Sequence, residues 1–180
     1  MSEATTEVGA VQAAPGLWRR MACFMYEGVL LFGVVMIAGF LFSLVTQQRH
    51  ALQGRVGMML FLFVVLGVYF IWLWTRGGQT VAMKAWHIRL LSADGAPVSR
   101  LRAGARYLLA WLWFLPATAA VYAAGLHGKG AMVTALFTGV LAYAALVWLR
   151  PDRQFWHDVV CGTRLVDCKP ALPAEAKSGA

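Results

Sequence analysis

Four apolar stretches, Ala22 to Thr46, Gly57 to Trp74, Tyr107 to Leu126 and Ala131 to Leu149, constrain this chain more than any other feature of its sequence. A helix needs roughly 20 residues to cross a hydrocarbon core about 30 Å thick, and each stretch is of that order. In lipid every backbone polar group must be satisfied within the segment, which favours helices. Hydrophobic residues are 60% of the 180 and charged residues only 13%, more apolar surface than a soluble domain of this length can bury. The expected fold is therefore an all-α membrane protein. Four transmembrane helices, at about 22–46, 57–74, 107–126 and 131–149, carry a short amphipathic or hairpin segment on the cytoplasmic face. The first stretch is too long for the apolar core of a signal peptide and lacks a small-residue cleavage site at Ser43 to Gln48, so it is expected to stay as an anchor. Residues 1–16 and 170–180 have little to bury and read as disordered cytoplasmic tails around one domain, 17–169.

Four spans put both termini and the Trp74 to Tyr107 loop on one side. That side holds thirteen of the sixteen Lys and Arg residues, and only Arg49, Arg55 and Lys129 lie opposite. Basic residues favour the cytoplasmic side, so both termini are expected there, in a multi-pass protein. The eight tryptophans fall on or near the same face, at the level of the headgroups. The net charge of +8 comes with no nucleic-acid recognition motif and sits beside apolar spans. The bilayer and its anionic headgroups are the expected partners, and nucleic acid is not. Arg100, Arg102 and Arg106, leading into the third stretch, are the headgroup candidates.

Glu27 is the one acidic residue inside any of the four stretches. Ionisable groups at such depth are costly and face a partner or a water-filled cavity, which makes them sites to test for function. Arg20, Cys23, Glu27, Leu31 and Val34 share one helical stripe. Arg20 and Glu27 are about 10 Å apart along the axis, so Glu27 is expected to find a partner elsewhere. Arg106, Tyr26 and the kink at Pro116 are the candidates. Two readings stay open: a hydrogen-bonded packing carboxyl, or a carboxylate that exchanges a proton or cation. One carboxylate is little for an ion pathway, so a transporter built this way is expected to be a homo-oligomer. Small residues at four-residue spacing, Ala131, Ala135 and Gly139, then Ala120 and Ala124, suit helix packing within the chain or between copies.

After the second stretch, Gly78-Gln79-Thr80 breaks the helix. Val81 to Leu91 then fits an interfacial helix or, in its second half, a strand, with Asp94-Gly95 as a turn. A short helix leading into a small hairpin is expected. His157-Asp158 near the end suggests a metal or acid-base site. His50, His87 and His127 supply no ligand spacing around it, so no metal is expected and Asp158 is read as capping or pairing with Arg153 or Arg164. Cys23, Cys161 and Cys168 are an odd, unpaired set, expected as reduced thiols. No nucleophile-base pair or phosphate loop can be assembled, so neither enzyme activity nor a cofactor is expected.

The arginines opening the first span, the acid within it, Gly78-Gln79-Thr80, Asp94-Gly95, and His157-Asp158 followed by Gly162-Thr163-Arg164 appear in one order. In that order the chain resembles the RDD family of small bacterial membrane proteins over roughly residues 17–167. The resemblance maps the family's arginine onto Arg20 or Arg19, its first aspartate onto Glu27, one methylene longer, and its second onto Asp158. Where the family often has Gly-Lys after the Gly-Gln-Thr segment, this chain has Ala82-Met83 and then Lys84. The resemblance implies an inner-membrane location. It also suggests transport, with sodium/proton exchange attributed to some members. A proton- or cation-coupled transporter using Glu27, Arg20 and Asp158 is one expectation. The alternative is a non-transporting scaffold or accessory subunit that holds lipid headgroups or a protein.

Overall fold

The computed structural model describes residues 14–47, 54–125 and 128–168; both expected tails lie almost wholly outside them. Two long helices come first: α1 spans Leu17–Thr46 and α2 spans Arg55–Gly77. Both, with Lys129–Leu149, are long and apolar enough to cross a membrane. Their outer surfaces carry exposed Val, Phe, Met and Leu side chains, as suits a lipid-facing helix. The Lys129–Leu149 segment consists of α6 (Lys129–Ala145), the sixth helix in chain order, and a closing 3-10 turn at Leu146–Leu149.

The expected third span takes a different form. It is divided into α4 (Arg100–Ala110), a 3-10 turn at Trp111–Trp113 and α5 (Leu115–Ala123), so no single helix there has crossing length. Pro116 explains the break. Proline has no N–H to donate and its ring crowds the carbonyl four residues earlier, that of Leu112, so the chain tightens before restarting with Pro116 in the first turn of α5. α4 itself is amphipathic: Ser99 caps it by accepting from Arg102 N at 3.4 Å, while Ala103, Arg106 and Tyr107 point inward. Tyr107 donates to the Phe63 carbonyl at 2.7 Å, tying α4 to α2. α5 lies along α6, where a Cβ on Gly139 would come within 2.6 Å of the Ala117 Cβ. The small-residue stripe therefore serves packing within the chain at this point.

Past α2 the backbone turns through Gly78 (φ +68) into the short helix α3 (Val81–Ala85) and strand β1 (Ile88–Ser92). Any Cβ at Gly78 would meet the Leu90 carbonyl oxygen at 2.5 Å, so the close approach and the left-handed φ both require glycine. The Asp94-Gly95 turn forms, and Ser92 N donates to the Ala96 carbonyl across it at 2.9 Å, but the ladder of β1 does not continue there. Its partner is β2 (Thr163–Asp167), which follows α7 (Trp156–Val160), antiparallel with Ile88 opposite Asp167 and Ser92 opposite Thr163. The reason is burial. Ile88 and Leu90 face inward on β1, and Leu165, opposite Leu90, brings apolar surface to the same face while Val166 is buried on the other; the residues after Gly95 offer only Val98. The sheet and α3 close one end of the helices, and Trp74, Tyr107, Met83 and Phe155 join them in one core.

Candidate intramembrane carboxylate site

Glu27 sits on α1 beside the end of α2 and is buried, 8% exposed. One carboxylate oxygen accepts from the Tyr69 hydroxyl of α2 at 2.8 Å, and the other accepts from the Thr80 hydroxyl. The Thr80 oxygen in turn accepts from Met83 N at 3.2 Å, so the residue that caps α3 also holds Glu27. The Gly78-Gln79-Thr80 segment thereby explains itself. Glycine makes the turn, Gln79 Nε2 donates to the Ile88 carbonyl at 2.8 Å, and threonine delivers its hydroxyl to the carboxylate. Among the described residues Glu27 forms no ion pair. Arg106, Tyr26 and the Pro116 kink, the expected neighbours, do not hold it.

Arg20 is also buried, but it is turned away from Glu27. Its Nη1 donates to the Arg153 carbonyl at 2.8 Å and its guanidinium lies 4.7 Å from the centre of the Phe155 ring. Its Nε is buried with no hydrogen-bond partner. The adjacent Arg19 reaches Asp167 and the Trp86 carbonyl, fastening the start of α1 to the end of β2.

Asp158 is fully buried on α7, and its partner is neither Arg153 nor Arg164. It is Arg106, whose Nε donates to Asp158 Oδ1 at 2.6 Å while the guanidinium lies 4.3 Å over the Trp74 ring. Arg106 was expected at the headgroups; instead it is 7% exposed inside the protein. The apolar neighbours of α4 explain this, because a guanidinium in such surroundings is stable only with a counter-charge. Asp158 Oδ2 is left without a hydrogen bond. Beside it, His157 N donates to the Tyr143 oxygen at 3.1 Å, and the Tyr143 hydroxyl meets His157 Nδ1 at 2.9 Å. That pattern makes Nδ1 the acceptor and puts the imidazole proton on Nε2, 3.5 Å from Asp158 Oδ1. Burial pushes the His157 pKa down to about 4 against the pull of Asp158, with Arg106 pushing the same way as burial. No group of His, Cys, Asp and Glu among the described residues forms a metal cluster. The other two headgroup candidates lie at the surface: Arg100 is exposed, and Arg102 donates to Ser92 Oγ at 2.8 Å.

Arg20, Glu27 and Arg106 all line one cavity of about 800 Å3, whose walls are largely aromatic and aliphatic. Asp158 stands behind Arg106 and is not part of the lining. Tyr69, Thr80 and Tyr143 were missed from the sequence. Thr80 had a signal, the Gly-Gln-Thr segment; the tyrosines had none, because nothing in their spacing marks what they touch.

Apolar helices of crossing length, enclosing a buried carboxylate and a separate buried ion pair, define an integral membrane protein. The RDD family model matches residues 14–162, and the chain belongs to the RDD family. No curated protein and no solved structure matches it.

Proposed function

We propose that the protein is a secondary transporter in which Glu27 binds and releases a proton or a cation. The observation that carries this reading is the carboxylate's setting. Glu27 lines the cavity, and its partners are the neutral hydroxyls of Tyr69 and Thr80. A carboxylate held by hydroxyls can gain or lose charge without breaking an ion pair, whereas Asp158 is tied to Arg106. Asp158 and Arg20 then act as fixed charges around the exchanging group. The distribution of Lys and Arg supports both termini on the cytoplasmic side, and the membrane in this reading is a bacterial inner membrane. One exchanging carboxylate per chain supports a homo-oligomer.

The test is proton and sodium flux into proteoliposomes, comparing the wild type with Glu27→Gln. Flux in the wild type and its loss in a variant with an unchanged melting temperature is the expected result; equal flux in both removes Glu27 from the pathway. The exposed Arg100 beside the 87% exposed Leu101 favours the scaffold as a second reading. On that reading no flux occurs, Glu27→Gln is silent, and charge reversal at Arg100 and Arg102 strips co-purifying anionic lipid.

A further inference from the structure

The cavity has two unlike halves. Phe24, Leu66, Phe70, Trp111 and Phe114 give it an apolar wall, and its volume of about 800 Å3 lies in the range that takes up a drug-sized ligand. Met25, Val29 and Phe32 line it too, and all three are exposed on the outer surface of α1. The void therefore opens sideways, toward the surface that acyl chains cover.

Two arginines stand at its floor. Arg20 and Arg106 both face the void and both are buried. Arg20 has a buried Nε with no partner, and among the described residues the two terminal nitrogens of Arg106 make no hydrogen bond. Glu27 faces the same void, but both its oxygens already accept hydroxyl protons. His157 on the lining is neutral near pH 7, and Asp158 lies outside it. Asp158 neutralises Arg106, so Arg20 is the lining guanidinium with no carboxylate partner among the described residues. Arginine in a desolvated pocket binds carboxylates and phosphates through directed, charge-assisted hydrogen bonds.

We propose that this cavity binds a single-chain anionic amphiphile of the fatty-acid type. Its head group lies on Arg20 and Arg106, and its chain lies among Phe24, Phe70, Trp111 and Phe114. The unpaired Arg20 selects an anion, the apolar wall selects a hydrocarbon chain, and the volume suits one chain. The site goes beyond the transport reading: it needs no proton exchange at Glu27, and its test is binding rather than flux.

Native mass spectrometry of the full chain in detergent, titrated with stearate, stearyl alcohol or phosphatidylglycerol, reads the site directly. Stearate is expected to add once and saturably, with stearyl alcohol about tenfold weaker or more. Arg20→Gln is expected to weaken stearate by a similar factor, about tenfold. Gly28→Phe changes no charge and places a ring in the void, since a Cβ at Gly28 meets nothing within 4 Å; it is expected to abolish the adduct. Equal binding of the alcohol overturns the proposal, as does undiminished stearate binding in either variant at an unchanged melting temperature. A preference for phosphatidylglycerol over stearate overturns it as well, in favour of a bilayer lipid. Should Arg20→Gln fail to fold, Gly28→Phe and the alcohol decide.

Discussion

At Glu27 both carboxylate oxygens meet hydroxyl donors, whereas at Asp158 one oxygen meets a guanidinium and the other meets nothing. Sequence alone marked both acids: one by its depth in an apolar stretch, the other by its place in a terminal His-Asp pair. Their partners were not legible, because Tyr69 is one aromatic among many in α2, and Arg106 reads as one more basic residue before a span. His157 supplies a prediction at this scale. Its pKa lies near 4 in the folded protein, below the usual value of about 6.5, so the unfolded chain binds the extra proton as pH falls between these values. Stability is therefore full above about pH 6.5 and falls toward pH 4, by on the order of 3 kcal/mol from this group. Thermal melts in detergent at a series of pH values should show that slope, and His157→Phe should flatten it; an unchanged slope in the variant assigns the effect elsewhere.

Among the elements, the division of the third span and the pairing of β1 with β2 are the places where structure and sequence pattern part. Pro116 signalled a kink, but apolar composition cannot show that one kink separates two short helices. Likewise, the pattern over Val81 to Leu91 allowed a strand in its second half without naming its partner, since β-pairing depends on residues distant in the chain. β2 has a further support: Gln154 Nε2 donates to the Leu165 carbonyl at 3.0 Å, and Gln154 Oε1 accepts from Leu165 N at 3.0 Å. The side-chain amide acts as a third strand one residue wide. Gln154→Ala leaves both Leu165 backbone groups buried and unpaired, and should cost about 2 kcal/mol or more. Its denaturation midpoint, and faster amide exchange at Leu165, are the measurements that check this.

For the molecule as a whole, the buried ion pair joins α4 to α7 and so connects the small sheet to the helices. Asp158→Asn strands the Arg106 charge among Trp74 and its apolar neighbours. The loss should be about 3 kcal/mol or more, larger than for removing an exposed pair such as Arg150–Asp152. Melting temperatures of Asp158→Asn and Asp152→Asn side by side test that order. The mostly helical membrane class was legible from hydropathy because lipid leaves few alternatives. The closure of one end by a two-stranded sheet was not, since its strands lie on either side of α4, α5 and α6.

That same sheet sets an order of assembly. α7 and β2 leave the ribosome only after α1, α2 and α6 have been made, and until then β1 has no ladder, Arg106 no counter-ion and Arg19 no carboxylate. The nascent protein thus passes through a stage in which its helices are in the bilayer and its charged end is still open. Thr163–Asp167 acts as a latch: the last of the described elements to be made, it closes the end that the earlier helices leave open.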